Sequence, residues 1–372
     1  MKKMGKKITC AILAATMFGT AFAGCGKSEK LDGTQIVLTI DEHEVTLGLA
    51  HLMLRENQAA SEAFMEQLSQ VYGENAFDYE MWDDTTKTED GRTITYGEQQ
   101  KENVMGSICE LFAIKNHADD YDIALTEDDN KKIAAAAKQF MEDNTQETLD
   151  VLGVSESDIV TYLELATLRA RMYDPMVADV DRKVTDKEAN QTTVTYAAIS
   201  TLGTEKDKDG KTISLTDAQK AEKKALAHKL IDAIKAEKNI AKADISKIAK
   251  GISADFTVST QTYTTAEAKD QYAVNEVVWK AVEDMKDGEV CEKVLEASSS
   301  YYVVRLDAAV DKEATEEKKE EIIAERESDA HAKLVEKWVG ETEISLKPEV
   351  WSQVELTDRQ SFRTVEKKEE KK

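Results

Sequence analysis

The sequence predicts an α+β protein in which a long helical region is followed by a small domain of antiparallel strands and helices. Apolar residues recur at three-to-four spacing through most of residues 47–181, which indicates amphipathic helices. From about residue 191, segments rich in β-branched and aromatic residues alternate with helical ones. The chain has 372 residues and only 2 prolines, a length that predicts two domains and a composition that permits long helices.

The charge balance excludes one class of partner. The chain has 49 Lys and Arg against 73 Asp and Glu, a formal net charge of −24. A protein that binds a phosphate backbone needs a basic surface, and the sequence has no basic stripe. We therefore expect no nucleic-acid partner.

The N-terminus predicts export. Four lysines precede the apolar run ITCAILAATMFGTAFAG, as in a secretion signal, here residues 1–24. The ending AFAGC resembles a bacterial lipoprotein box, with Phe22 in place of the usual leucine. This resemblance implies that Cys25 is diacylated, becomes the first residue of the mature chain and anchors it to the membrane. Residues 25–34 would then be a short tether, and the mature net charge would be −28. Ordinary secretion with Cys25 as a spare thiol is the alternative.

Residues 35–190 are predicted to form a mainly helical domain. QIVLTIDEHEVTLG indicates a strand, a tight turn and a short strand, followed by a helix over 47–71. The segment 72–97 lacks a helical period and is expected to be a long loop with a small hairpin at Asp90-Gly91. Three further helices are expected: one ending near Asp119, one capped by Thr126, and one that starts after Ser155 and reaches about Asp181.

Residues 191–310 predict the order β, α, α, β, α, β, β. The strands are expected at TTVTYAAISTLG, FTVSTQTY, EVCEKVLEA and YYVVRLDAA, and the first helix is expected to begin after Thr216. A long charged helix follows within 311–345, where we expect it to pack on the N-terminal domain. The tail 346–372 is expected to end in disorder. Cys109 and Cys291 are expected to be buried thiols.

This order of elements resembles a parvulin-type prolyl isomerase domain, in which helices separate the first strand from the last hairpin. Together with the lipoprotein box, the opening strand unit and the closing helix, it resembles the PrsA/SurA-type extracytoplasmic foldases over about 35–340. The most specific stretches are LTEDD at 125–129, VTDKEA at 184–189, MKDGEVCEKVLE at 285–296 and SSYYVVRLD at 299–307. The resemblance implies a helical chaperone domain, completed by the C-terminal helix, with an inserted parvulin-like domain.

The active site implied by the resemblance is degenerate. Members of the family carry a histidine on the first strand and another on the last, but these positions fall on Ala198 and Tyr302 here. The third polar position corresponds to Asp255, the one catalytic candidate. An apolar pocket for proline would use Phe256, Tyr263, Trp279 and Met285. A Trp and a Met at these spacings are more often plain core than pocket.

The function expected from these observations is that of a lipid-anchored folding factor for newly translocated polypeptides, with a weak or inactive isomerase domain. Catalysis of X-Pro rotation needs only a pocket that holds the twisted amide better than the planar one, so an active isomerase is the first alternative. A solute-binding lipoprotein is the second, although the chain has few β segments for two α/β lobes. No nucleotide, metal or other cofactor motif occurs, and a homodimer is left open.

Overall fold

The structure is a computed structural model that describes residues 20–23, 30–73, 81–204, 206, 208, 210, 213, 215–269, 275–356 and 363–366. The helices are α1 (Leu47–Tyr72), α2 (Tyr96–Asn116), α3 (Glu127–Asp143), α4 (Gln146–Leu152), α5 (Glu156–Met176), α6 (Asp186–Ala189), α7 (Asp217–Lys235), α8 (Ile245–Ile252), α9 (Glu276–Val282), α10 (Lys312–Glu341) and α11 (Pro348–Trp351). The strands are β1 (Thr20–Ala23), β2 (Ile36–Ile40), β3 (His43–Thr46), β4 (Thr85–Lys87), β5 (Thr93–Thr95), β6 (Gln191–Ser200), β7 (Phe256–Thr264), β8 (Leu295–Glu296), β9 (Ser300–Ala308), β10 (Ile344–Leu346) and β11 (Arg363–Glu366).

The chain divides into two compact units. Unit 1 comprises Met1–Asp179 and Asp329–Lys372, and unit 2 comprises Val180–Ser328. Unit 1 is mainly helical and unit 2 has a four-stranded antiparallel sheet with helices, so the predicted α+β class is confirmed. The predicted segment 191–310 lies within unit 2.

Unit 1 is built from helices packed on a small antiparallel sheet with the strand order β10-β2-β3. One core cluster joins this sheet to α1 and α2, with Val37, Leu54 and Ile108 fully or almost fully buried. A second cluster joins α1 to α3, α4 and α5. In a third, Val335 and Trp338 of α10 are buried beside Met172 of α5.

Glycines permit a close backbone approach in unit 1. Gly153 ends α4 with a φ of +68°, a left-handed conformation that favours glycine. A Cβ built on Gly33 would lie 1.8 Å from the Gly153 carbonyl oxygen, and one on Gly48 would lie 2.5 Å from it. The Gly48 amide donates to the Gly33 carbonyl at 2.9 Å, so the start of α1 is held against this turn.

Unit 2 has the strand order β7-β6-β9-β8, and all pairs are antiparallel. Because side chains alternate across a strand, Ala197 and Ile199 of β6 face α7 and α8, whereas Val194 faces α9. Arg305 of β9 is 8% exposed and donates from Nη1 to the carbonyls of Ile240 and Ala243 at 2.9 and 2.8 Å. This arginine ties the short 3₁₀ helix Ile240–Lys242 to the sheet.

Two predicted elements differ from the structure. The third helix ends at Met176 rather than near Asp181, one residue after Pro175. The predicted strand at 289–297 is reduced to Leu295–Glu296 and an isolated bridge between Val290 and Arg305. The hairpin expected around Asp90-Gly91 is present as β4 and β5, with Gly91 at a φ of +84°.

Candidate functional site

Strands β6 and β9 place the two positions at which the family resemblance predicts histidines opposite each other. Ala198 of β6 and Tyr302 of β9 are direct register partners, and Thr257 of β7 lies on the other side of Ala198. The Tyr302 ring meets the Tyr196 ring edge-on, with centroids 5.6 Å apart. The described face therefore presents a methyl group and phenol rings where imidazoles would orient a polar pocket.

Asp255 lies at the start of β7 and faces solvent. Its side chain is 58% exposed, and one carboxylate oxygen lies 3.3 Å from the Lys223 ammonium group. The Asp255 amide bonds to the Ser253 hydroxyl at 3.2 Å. These contacts make Asp255 part of an exposed ion pair at the end of α8.

Three of the four proline-pocket candidates, Tyr263, Trp279 and Met285, share one core cluster, and Phe256 does not. Phe256 is buried in the cluster beneath α7 and α8, on the opposite face of the sheet from the other three. Tyr263 and Trp279 line one cavity of about 160 Å³ with Val282 and Leu306. Met285 lines a separate, open groove of about 710 Å³ with Cys291.

The cavity at Tyr263 is also distant from the expected catalytic positions. Tyr263 pairs with Thr192, six residues along β6 from Ala198, a separation of roughly 20 Å at the usual rise per residue. Burial raises the pKa of Tyr263, whereas its hydrogen bond to Thr192 acts in the opposite direction. The phenol is therefore neutral, and the described residues of this cavity supply no imidazole.

A different surface was missed at the sequence level and lies on the last turns of α1. The side chains of Phe64, Val71 and Tyr72 are 59%, 74% and 70% exposed. Leu68 is half-buried and lies between them at helical spacing. We call these four residues the α1 stripe.

The same turns of α1 bury polar residues. Gln58, Glu62 and Ser69 are 1%, 5% and 8% exposed. The Gln58 amide donates to the Glu62 carboxylate at 3.1 Å, and the Trp82 indole lies within 3.4 Å of the same oxygen. This half of α1 therefore exposes large apolar side chains and buries polar ones, the reverse of an ordinary surface helix.

The polar network continues toward the N-terminal half of the helix. Arg55 is 6% exposed and donates to His51 Nε2 at 2.8 Å, to Gln58 Oε1 at 2.7 Å and to the Glu355 carbonyl at 3.3 Å. His51 Nδ1 lies 3.0 Å from the Leu152 carbonyl oxygen. The bonds to the Leu152 and Glu355 carbonyls tie α1 to other segments of the chain, whereas those to His51 and Gln58 lie within the helix.

Other site predictions have plain outcomes. Cys25 lies outside the described residues. Cys109 and Cys291 are free and buried, and burial raises the pKa of the Cys291 thiol to about 11. Among the described residues, no group of three or more His, Cys, Asp or Glu side chains could hold a metal ion. Within the same part of the chain, no helix is both long and apolar enough to cross a membrane.

Of the comparisons with known proteins, only the one with solved structures finds a similarity. No family model matches the chain, and no curated protein matches it. The foldase protein PrsA from Lactococcus lactis is 12% identical with a TM-score of 0.30, over 86% of this chain and 98% of that one. The peptidylprolyl isomerase PrsA from Bacillus cereus is 16% identical with a TM-score of 0.28, over 75% and 96%. The foldase protein PrsA from Streptococcus pneumoniae is 17% identical with a TM-score of 0.24, over 74% and 97%.

These solved structures bear the name of the family that the sequence resembles. TM-scores of 0.30 and below carry no residue positions or activity from them to this chain.

Proposed function

We propose that the chain is an extracytoplasmic folding factor that binds unfolded, newly translocated polypeptides. The observation that carries the proposal is the α1 stripe, where Phe64, Val71 and Tyr72 are each more than half exposed. Contiguous apolar side chains on a surface mark an interaction site. Their natural partner is an apolar segment of a chain that has not yet buried it.

The strength of such binding suits a partner that must leave. Burying one large apolar side chain contributes roughly 1.5–3 kcal/mol, and the few residues of the stripe must also offset the cost of association. Binding is therefore weak and fast to reverse. A client can leave and bury its own apolar residues without energy from a nucleotide, for which the sequence has no motif.

The negative charge of the chain supports the same role. At a net charge of −24, the protein repels other copies of itself and keeps a bound client in solution. Cationic segments of a client are attracted to a chain of this net charge.

The N-terminal sequence supports anchoring at Cys25. Two acyl chains together hold a protein stably on a membrane, whereas a single chain does so only marginally. In cells grown with a labelled fatty acid, the natural chain should carry the label and a Cys25→Ala variant should not. The variant should also be found in the soluble extracytoplasmic fraction.

Unit 2 then serves the folding factor without efficient isomerase chemistry. Its two expected histidine positions hold Ala198 and Tyr302, and Phe256 lies on the opposite face of the sheet from the other three proline-pocket candidates. An active isomerase remains the alternative, and the slow refolding of a proline-limited protein tests it separately from aggregation.

The experiment compares three forms of the full chain for suppression of aggregation of a denatured client. The test variant is Phe64→Gln/Val71→Gln/Tyr72→Gln. The matched control is Leu202→Gln/Val310→Gln, which removes apolar side chains that are 58% and 54% exposed elsewhere. Glutamine retains helix propensity, and circular dichroism checks that each variant is folded.

We expect the natural chain and the control to delay aggregation at equimolar concentration, and the test variant to lose most of this effect. Equal protection by all three forms would show that the α1 stripe does not bind the client. No protection by the natural chain would refute the proposed function.

A further inference from the structure

Within the described residues, unit 2 has one long sheet edge that pairs with no further strand. In the strand order β7-β6-β9-β8, β7 is at the edge, and among the described residues its backbone pairs with β6 alone. The pairing runs from Gln191 opposite Thr264 to Ile199 opposite Phe256 without a register shift. Since an antiparallel strand bonds to its neighbour through every second residue, about four residues of β7 direct both N–H and C=O away from the sheet.

This edge lacks the features that usually protect one. Edge strands are commonly short, charged, interrupted by proline or bent by a bulge. The nine residues FTVSTQTYT contain no charge, no proline and no glycine. The other edge strands of the described three- and four-stranded sheets are shorter: β8 has two residues including Glu296, β10 has three, and β3 has four including Glu44.

The exposed side chains of β7 are small. Thr257, Thr260 and Thr262 are exposed, and Ser259 is half-buried. Thr260 and Thr262 bond through their hydroxyls to Thr195 and Thr193 of β6, at 2.7 and 2.8 Å, so they point along the sheet face and not across the edge.

We propose that β7 binds an extended segment of the client polypeptide as a fifth, antiparallel or parallel strand. This inference deepens the proposed function, on which it rests for the nature of the partner. An unfolded chain has free backbone donors and acceptors along its whole length, and strand addition satisfies them through main-chain bonds.

The absence of charge on β7 favours a client over a second copy of this protein. Without charges, the edge does not specify one register or one sequence, which suits a partner of variable sequence. Two copies that met at this edge would each bring a net charge of −24. A neutral or cationic segment meets no such repulsion.

The probe is a synthetic peptide of nine alternating threonine and valine residues with one lysine at each end. Binding to the full, isotopically labelled chain is followed by residue-resolved amide hydrogen exchange. We expect the amides of alternate residues within 257–263 to exchange at least tenfold more slowly with saturating peptide. Amides of the α1 stripe should not change.

A fully N-methylated form of the peptide provides the matched control. It keeps the same side chains and terminal lysines but has no backbone N–H group within the Thr/Val segment to donate to β7 in any register. It should bind at least tenfold more weakly than the unmodified peptide. Equal binding of both forms would refute strand addition.

Three other outcomes would also overturn the edge as the site. The first is protection of β7 without peptide that rises with protein concentration, which indicates a second copy. The second is peptide binding without any change in β7 exchange. The third is that the variant Phe64→Gln/Val71→Gln/Tyr72→Gln loses peptide binding while exchange of the β7 amides stays unchanged, which leaves the proposed function intact.

The two proposals can also fail separately. If the natural chain does not suppress aggregation but the peptide still protects alternate amides of β7, the proposed function is refuted and strand addition at β7 is retained.

Discussion

The two units expose different kinds of surface to a partner. Unit 1 has apolar side chains on the outer face of α1, whereas its buried face at the same height includes Gln58 and Glu62. Unit 2 covers both faces of its sheet with helices and leaves the uncharged backbone edge of β7. Under the two proposals above, unit 1 recognises side chains and unit 2 recognises backbone, which together would bind many unfolded sequences without a specific motif.

Matched core substitutions give the largest expected effect on this comparison. Leu54 of unit 1 and Leu306 of unit 2 are both 0% exposed, so Leu54→Ala and Leu306→Ala should each cost about 2–5 kcal/mol. Cys109 shares a core cluster with Leu54, and Cys291 shares one with Leu306. Thiol labelling read by mass spectrometry should accelerate most at the cysteine of the substituted unit. Equal acceleration at both cysteines would show that the two units open together.

Helix caps allow a finer comparison. Thr126 caps α3 in unit 1 and Thr216 caps α7 in unit 2, each by accepting from the backbone three residues on. Replacing either threonine with alanine should cost about 1 kcal/mol in chemical denaturation. The larger loss is expected at Thr126, because its partner Asp129 also lies 2.6 Å from the Arg171 guanidinium. A larger loss at Thr216 would contradict this ranking.

Glu56 makes the stability of unit 1 depend on pH. Burial raises the pKa of Glu56, although the Tyr162 hydroxyl donates to its carboxylate at 2.8 Å and acts in the opposite direction. The pKa of Glu56 in the folded state lies above its value in the unfolded state. The contribution of the protonated carboxyl to the free energy of unfolding is therefore fully present below the unfolded-state pKa, and it is lost as pH rises through the folded-state pKa.

Glu56→Gln should therefore flatten the dependence of unfolding free energy on pH above the ordinary carboxyl pKa of about 4. The exposed Glu66→Gln on the same helix is the control and should leave the profile unchanged. A steeper profile in Glu56→Gln would reverse the sign of this argument.

The smallest effect is expected at Asp255. Its side chain is 58% exposed and its contact is a surface ion pair, so Asp255→Ala should change the free energy of unfolding by no more than about 0.5 kcal/mol. The substitution should also leave the refolding rate of an added proline-limited protein unchanged. The natural chain should not accelerate that refolding either. Acceleration by the natural chain that is lost in Asp255→Ala would establish an isomerase in unit 2.

The sequence predicts most element positions because their local signals are strong. Capping boxes at Thr126, Ser155 and Thr216 start helices where the threonine and serine patterns place them. The strand expected at 289–297 failed because Gly288, Glu289 and Cys291 bond irregularly to β9 instead of forming a continuous ladder. Local composition does not reveal such a change in pairing.

The α1 stripe could not be predicted from periodicity. A helical pattern of apolar residues predicts a core-facing side, but α1 buries Gln58 and Glu62 instead of Phe64 and Val71. α1 is tied in place by bonds from His51 to the Leu152 carbonyl and from Arg55 to the Glu355 carbonyl, 101 and 300 positions away along the chain. Only the folded chain shows that arrangement.

Site-specific photocrosslinking tests the central claim most directly. A photoreactive phenylalanine analogue is placed at Val71, which is 74% exposed, or at Val310, which is 54% exposed, in otherwise natural full chains. Each chain is irradiated with the same unfolded client, and crosslinked client is quantified. The account predicts at least tenfold more product from position 71. Equal product from both positions, or more from position 310, would contradict recognition of clients by the α1 stripe.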